Sequence, residues 1–452
     1  MASLMNSKKE KNKSVILCII SSIFVVLKMY TGSNTFLWIF LFTICVGIVF
    51  DSIEHKVEYL LFFISWVYTL KFQFTQFSLF VFMSVMYVVV CLTYMLIYKS
   101  KLEIRFLVSY LLFAIYVMAI PLIGGGPVTP IMGFLLNYTS IFFAVLFVND
   151  KKLFERYTRI YALGLLLSSI VRLISFIIPN LNQYFLTMSG VYTLIVDGTL
   201  NIRFAGVDID PNYYAVQILI AISCLLVCIY YEKERKNTSI ILCISLSILG
   251  FLSLSKMYLL VFLFLVIITL VCFFKNNIKV GMKFLFSIFV CGGVLAHHYF
   301  DYFYNSYILR FGGVDAGISD LTTGRSKIWL MFLSKITNNK KNLLLGADYE
   351  IGYLKDTVAH NMYLTALNYM GIFGVIITLI YFYNIRNMLV IKIKDKKYFK
   401  LISVNSIPLY VLLIANLALD SFVMDYFTIH LFLVFFALSC NSKSKFPMTK
   451  NA

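Results

Sequence analysis

Three polar stretches interrupt an otherwise apolar sequence, and each contains side chains that can do chemistry. Arg203 stands ahead of Asp210-Pro211-Asn212, Arg310 stands ahead of Arg325-Ser326-Lys327, and His360-Asn361 comes just before an apolar run. Planar guanidinium groups bind phosphate or pyrophosphate oxygens through paired, charge-assisted hydrogen bonds. An imidazole that titrates near neutral pH can take a proton from a hydroxyl group. The three stretches together predict an anion-binding site that also holds a general base.

The first stretch also has a structural explanation. Asp210 before Pro211 is a typical helix start, with Asp as the cap and Pro at the first helical position. A helix start alone is enough to explain Asp210-Pro211-Asn212. Arg203 is harder to explain in this way, because a guanidinium near a bilayer surface is costly unless it meets a phosphate, a carboxylate or water. Lipid-headgroup anchoring and substrate binding explain Arg203 about equally well.

Sequence context separates the other basic residues and the histidines. Arg325 follows Gly324 and precedes Trp329, a context that favours ligand binding. His360 lies between a polar loop and a helix, where Asn361 can hold its tautomer or bind substrate hydroxyls. Snorkelling or solvated positions are predicted for Lys335, Lys340 and Lys341, and packed or surface positions for His55, His297, His298 and His430.

The composition indicates the class of protein. The chain is 61% apolar and only 13% charged, with a mean hydropathy of +0.87, whereas soluble globular proteins carry about 25% charged residues. The formal net charge of +18 comes from short Lys and Arg clusters between apolar runs, without a basic stripe or recognition motif. All nine cysteines lie inside apolar runs without ligand spacing, so no disulfide or structural zinc is expected. The sequence predicts a membrane protein, and topology rather than nucleic-acid binding explains its charge.

Runs of about 16 to 22 apolar residues predict the transmembrane helices. The third and last runs are short, so twelve or thirteen spans fit the sequence as well as about fourteen. The predicted fold is an all-α, polytopic integral membrane protein, with residues 1–452 forming a single membrane domain. The predicted spans are 14–30, 35–50, 59–70, 77–98, 106–123, 131–148, 160–179, 212–231, 240–255, 257–274, 284–300, 361–384, 401–419 and 427–440.

Basic residues in the short connections predict the orientation, because Lys and Arg are retained on the cytoplasmic side. Both termini are then cytoplasmic, the first span is an uncleaved signal anchor, and the long segments 180–211 and 301–360 are extracytoplasmic. In the second segment, apolar residues at helical spacing between Ser326 and Ile336 predict an amphipathic helix at the membrane surface. Asn338 to Lys341 would end that helix. Arg172 departs from the pattern, because it falls inside a proposed span.

The polar stretches also share an arrangement with a known group of proteins. His360-Asn361 is followed, after Met362 to Met370, by Gly371-Ile-Phe-Gly374, and Gly324-Arg325 is followed by Trp329. With Asp210-Pro211-Asn212 and Arg203 ahead of them, these elements resemble the O-antigen polymerase and O-antigen ligase superfamily, which includes some protein O-oligosaccharyltransferases. Members of that superfamily often carry a Ser-Arg pair, and this sequence has Ser255-Lys256 at the corresponding place. The change from Arg to Lys weakens the expectation that Lys256 binds phosphate. The resemblance covers roughly residues 200 to 385.

The resemblance implies a glycosyltransferase of the bacterial inner membrane with its site on the extracytoplasmic face. Its donor would be a glycan linked through pyrophosphate to undecaprenol, and its further partners would be membrane lipid and a polysaccharide chain-length regulator, with no nucleic acid. Arg203 and Arg325 would bind the pyrophosphate, and His360 would act as the base on the acceptor hydroxyl. No metal and no cofactor would be needed, because arginines can neutralise the leaving group. Further substrate-binding residues would be Arg310, Lys327, Asn361, Asp210, Asn212 and Lys256.

Three functions stay open at this point. A polymerase is favoured because the chain has about fourteen predicted spans and is rich in Ile, Lys, Asn and Phe. An O-antigen ligase, or a protein O-oligosaccharyltransferase, would use the same motif with a different acceptor. A lipid-linked oligosaccharide flippase or other transporter would need charged residues along a path at membrane depth, and connections of similar length on both sides of the membrane. Arg172 is the only clear basic residue inside a predicted span.

Overall fold

The protein is built almost entirely from helices, with one small hairpin. A computed structural model describes residues 2–72, 78–99, 102–124, 129–188, 193–196, 199–207, 210–231, 235–311, 325–346, 359–393, 402–419 and 426–440. Strand β1 (Thr193–Val196) pairs antiparallel with β2 (Thr199–Ile202), in a register that joins Thr193 to Ile202. The helices are α1 (Ala2–Thr31), α2 (Thr35–Phe50), α3 (Val57–Phe63), α4 (Leu79–Ile97), α5 (Ile104–Gly124), α6 (Thr129–Phe147), α7 (Lys152–Ser175), α8 (Pro179–Met188), α9 (Pro211–Tyr231), α10 (Lys236–Leu252), α11 (Lys256–Asn276), α12 (Ile278–Phe311), α13 (Arg325–Asn338), α14 (Lys340–Leu345), α15 (Met362–Lys392), α16 (Ile407–Ala415) and α17 (Leu431–Ser439).

The predicted membrane class agrees with these helices. Each predicted apolar run contains a helix, and short 3-10 turns at Ile53–His55, Ile64–Trp66, Val404–Ser406 and Tyr426–His430 adjoin the shorter ones. Within the described ranges, six helices are long and apolar enough to cross a bilayer, and further apolar helices contain 10–17 residues. The chain is therefore a multi-pass, all-α membrane protein. The total of about fourteen spans stays a prediction.

Two helices differ in extent from the predicted spans. Helix α12 continues to Phe311, beyond the predicted span at 284–300. Helix α7 runs from Lys152 to Ser175, whereas the predicted span is 160–179, and near its start Arg156 forms an ion pair with Glu58 of α3. Arg172 lies in the last turn of α7. Its guanidinium donates to Ser175 Oγ at 3.2 Å and lies 4.6 Å from the ring centre of Phe185.

The predicted amphipathic helix is present as α13, which buries Phe332 and Ile336 and leaves Leu330 exposed. It ends at Asn338, as the sequence predicts. The residues expected only to end it instead start α14, because Asn339 Oδ1 accepts the N–H groups of Lys341 and Asn342 at 3.0 and 3.3 Å. Helix α14 and the hairpin were not predicted.

Helix α9 is the centre of the bundle. It packs against α7, α10, α11 and α16, and most of its residues are buried. Two hydroxyl contacts tie it to α7: Tyr161 Oη donates to Gln217 O at 3.2 Å, and Ser169 Oγ lies 2.6 Å from Tyr214 Oη. A helix that is buried on all sides explains why its sequence is apolar throughout rather than amphipathic.

Contacts at both ends of α9 and α11 give the relative direction of these two helices. Tyr230 at the end of α9 lies 5.1 Å, ring centre to ring centre, from Phe273 near the end of α11. Ser255 Oγ, directly before α11, donates to Asn212 Oδ1 at the start of α9. The two helices are therefore parallel, and their starts lie at one end of the bundle. We refer to it as the motif end.

Candidate functional site

Arg203 lies at the motif end in a buried polar cluster. Its Nε donates to Ser253 O at 3.2 Å, and its Nη2 donates to Asn212 Oδ1 at 3.1 Å. Ser255 Oγ donates to the same Asn212 oxygen at 2.8 Å. Only 7% of the Arg203 surface is exposed. The structure therefore brings together the Arg203 stretch and the Ser255-Lys256 pair, which are far apart in the sequence.

Two helix starts hold this cluster in place. Asp210 Oδ1 accepts the N–H of Asn212 at 2.6 Å, and Pro211 is the first residue of α9, so the predicted cap is confirmed. Ser255 Oγ accepts the N–H of Tyr258 and so caps α11, whose first residue is the half-buried Lys256. The N-terminal ends of both helices carry partial positive charge, which favours an anion at this place.

Arg325 and Trp329 belong to a second cluster, which lies on the turn 416–419 after α16. Arg325 Nη1 donates to Ala418 O at 2.5 Å. One turn later in α13, Trp329 Nε1 donates to Ala359 O at 2.9 Å, directly before His360 in the chain. Helix α13 thus positions its guanidinium and the His360 segment relative to the same end of α16.

Asn361 fastens the start of α15 to the same turn. Its Nδ2 donates to Leu417 O at 3.1 Å, and its Oδ1 accepts the N–H groups of Tyr363 and Leu364 at 3.0 and 3.1 Å. The backbone N–H of Met362 is within 3.0 Å of two further carbonyls of the turn. Asn361 is therefore the cap of α15 and its tie to α16, and its expected substrate contact stays a prediction.

His360 has an unusual backbone conformation. Its φ of 48° lies in the left-handed region, which residues with a Cβ rarely adopt. Such conformations cost of order 1–3 kcal/mol and persist where the surroundings fix them, often at functional sites. The Trp329 contact to Ala359 and the cap at Asn361 fix the chain on both sides of His360.

Lys327, one of the predicted site residues, is exposed on α13. Arg310 lies in α12, but its side chain is outside the described part of the structure, as is Gly324. Lys335, which the sequence predicts as snorkelling or solvated, is half-buried on α13, and burial lowers the pKa of its ammonium group.

Two polar residues of α15 were not among the predicted site residues. Thr365 and Asn368 follow Asn361 on the same helix face and are 6% and 2% exposed. Among the described residues, Thr365 Oγ1 and Asn368 Nδ2 have no hydrogen-bond partner. Buried polar atoms normally have partners, so water or a ligand hydroxyl is the natural complement here. Thr365 comes four residues after Asn361 and Asn368 comes three residues after Thr365, and this helical spacing was the available sequence signal.

The acidic residues near Arg203 include an Asp-x-Asp spacing at Asp208 and Asp210. Asp208 is outside the described residues, and Asp210 accepts the N–H of Asn212. Within the described ranges, no three His, Cys, Asp or Glu side chains form a group that could hold a metal ion. The absence of a metal from the reaction stays a prediction.

No protein-family model matches the chain, and neither does any curated protein sequence. The two clusters contain guanidinium groups, which are strong donors to phosphate oxygens, and the adjoining His360 carries an imidazole, which can accept a proton.

Proposed function

We propose that this protein is a polysaccharide polymerase of the bacterial inner membrane, acting on undecaprenyl-pyrophosphate-linked oligosaccharides of O-antigen or capsule. The growing glycan is transferred from its lipid pyrophosphate to a sugar hydroxyl of another lipid-linked repeat unit. The proposal rests on the resemblance of the motif residues and on the position of those residues in the fold. The motif end faces the extracytoplasmic side in this proposal, with both termini in the cytoplasm.

One observation carries the proposal. Arg325 and Asn361, which come from two separate motifs, donate to consecutive carbonyl groups of one turn, Ala418 O and Leu417 O. This shared turn brings a guanidinium and the segment of His360 into the same cluster. The proposal places the Arg203 cluster on the same side of the membrane as this turn.

The reaction follows from these groups. The acceptor hydroxyl oxygen attacks the anomeric carbon of the donor glycan from the face opposite the pyrophosphate, so a new glycosidic bond forms with inversion. The bond between the anomeric carbon and the pyrophosphate oxygen breaks, and undecaprenyl pyrophosphate leaves with that electron pair. His360 takes the proton from the attacking hydroxyl. Arg203 and Arg325 stabilise the charge that develops on the leaving pyrophosphate, with Arg310 and Lys327 as additional cations.

Two experiments test this function. A strain that lacks the protein should accumulate single lipid-linked repeat units, whereas full-length polymer that stays unattached would identify a ligase instead. Purified protein in detergent, given lipid-linked repeat units, should lengthen the glycan without an energy source. Activity that requires sealed vesicles would contradict the proposal and identify a transporter, because a transferase does not depend on a closed compartment.

A further inference from the structure

Helix α15 is broken at Gly371, within the region that connects the His360 segment to the rest of the bundle. Gly371 has φ 61° and ψ −176°, which are not helical values. A Cβ at this position would lie 2.4 Å from Gly346 N and 2.5 Å from Leu344 O. The backbone at the end of α14 therefore occupies the space that the break opens.

The hydroxyl group of Tyr116, from α5, lies in this break. It donates to Met370 O at 2.7 Å and lies 3.0 Å from Leu345 O. In an unbroken α-helix, Met370 O would accept the N–H of Gly374. At the break, the phenol hydroxyl provides a donor for that carbonyl group.

The glycine after the break makes room for the phenol ring. A Cβ at Gly374 would lie 2.5 Å from Tyr116 Cε1. The two glycines of the Gly-x-x-Gly element therefore have separate tasks: Gly371 admits the backbone of α14, and Gly374 admits the ring of Tyr116.

Tyr116 connects the two segments that carry the motif residues. Leu345 ends α14, which follows directly after α13 and Arg325, and Met370 ends the first part of α15, which begins beside His360. The turn 416–419 joins these segments near Arg325 and Asn361, and Tyr116 joins them again at their other ends. The two chain segments are therefore held together by hydrogen bonds at both ends, and we refer to this arrangement as the frame.

We infer that Tyr116 is a positioning residue, whose hydroxyl holds the His360 segment and the Arg325 segment in the relation that transfer requires. This inference rests on the proposed function. Tyr116 touches neither His360 nor Arg325 and acts through the frame. Misplacement of reacting groups by about 1 Å can reduce turnover by roughly 100-fold while substrate binding changes little.

The Tyr116→Phe variant removes only the hydroxyl. Tyr110→Phe is the matched control, because Tyr110 lies on the same helix and its hydroxyl contacts Thr139 Oγ1, away from the break. Full-length purified proteins are compared in detergent with lipid-linked repeat units as substrate. We expect Tyr116→Phe to lower kcat by roughly 10-fold to 100-fold with unchanged KM and unchanged Tm, and Tyr110→Phe to retain the wild-type kcat. A general loss of structure would change KM and Tm as well.

Backbone hydrogen exchange gives a readout that does not depend on activity. Tyr116→Phe should exchange faster than wild type at residues 340–346 and 362–374 and equally elsewhere. Gly374→Ala, whose methyl group displaces the ring, should give the same pattern. Unchanged exchange, or an unchanged kcat in an active wild-type background, overturns the positioning role alone. A wild-type protein without transfer activity overturns the proposed function and the positioning role together.

Discussion

The Arg203 guanidinium and the Ser255 hydroxyl donate to a single acceptor, Oδ1 of Asn212, at 3.1 and 2.8 Å. The Asn212 side chain therefore links the stretch before α9 to the start of α11. A carbonyl-type oxygen accepts two hydrogen bonds through its two lone pairs, so this arrangement uses the oxygen fully. Asn212 and Ser253 O together fix the Arg203 guanidinium.

Replacement of Asn212 should leave the Arg203 guanidinium less firmly positioned. Asn212→Leu leaves two buried donors without their shared acceptor, which costs about 1–3 kcal/mol for each unsatisfied group. We expect a lower Tm and a loss of transfer activity in the purified variant. Asn276→Leu is the control, because its amide bonds only to Cys272 O at the opposite end of α11. An Asn212→Leu variant with the wild-type Tm would contradict the linking role.

Arg203→Ala and Arg325→Ala should each reduce the transfer rate by about 10²–10³, the usual loss when one donor to a developing anion is removed. Arg325→Lys should recover little, because an ammonium group cannot make the paired contacts of a guanidinium. Initial rates with lipid-linked repeat units measure the effect. Arg235→Ala, at an exposed arginine before α10, should retain the wild-type rate. Wild-type rates in both site variants would remove the assigned roles.

A side chain at Gly371, where α15 is broken, should destabilise the protein. Gly371→Ala places a methyl group against backbone atoms at 2.4–2.5 Å and strains a positive φ, so we expect a loss of roughly 1–3 kcal/mol or more. Gly293→Ala in α12 meets nothing within 4 Å and should be neutral or stabilising by up to about 1 kcal/mol. Thermal unfolding in detergent compares the two. An equal Tm for both variants would mean that the break is not required.

At the end of the bundle away from the motif residues, Glu58 should make stability depend on pH. Burial raises the pKa of its carboxyl, but hydrogen bonds from His55 and Arg156 outweigh burial and hold the pKa below its usual range. A lowered folded pKa contributes stability above the unfolded value of about 4.3, and this is lost as the pH falls through the folded pKa.

Thermal unfolding between neutral and acidic pH measures this contribution. Glu58→Gln should lower the Tm at neutral pH, because the partly buried Arg156 loses its counter-ion, at a cost of roughly 3–5 kcal/mol. The variant should also lose less stability than wild type on acidification. Glu103→Gln, in the connection before α5, serves as the control. Parallel Tm profiles for wild type and Glu58→Gln would refute the role of this carboxylate.

The sequence predicted the apolar helices and the cap at Asp210 because these depend on local signals. Long apolar runs must satisfy their backbone groups internally, which leaves only helices, and Asp210-Pro211 is a helix start in almost any context. The resemblance of the motifs named Arg203, Arg325 and His360, and their roles stay predictions; the structure gives contacts for both arginines and an unusual backbone conformation for His360.

The remaining features depend on partners distant in the sequence. The break at Gly371 needs the backbone of Leu344 to Gly346 as its complement, and a glycine inside an apolar run does not reveal this. The turn 416–419 acts through carbonyl groups, so its side chains carry no signal. Tyr116 is one of 31 tyrosines, and only coordinates distinguish its hydroxyl from the others.

The burial of α9 also bears on biogenesis. This helix is synthesised well before α11 and α16, which later cover two of its sides. During translation it must therefore rest among lipids or insertion chaperones that its neighbours afterwards displace. Truncations that end before α16 should leave a membrane-inserted but incompletely assembled protein that is open to quality-control proteases.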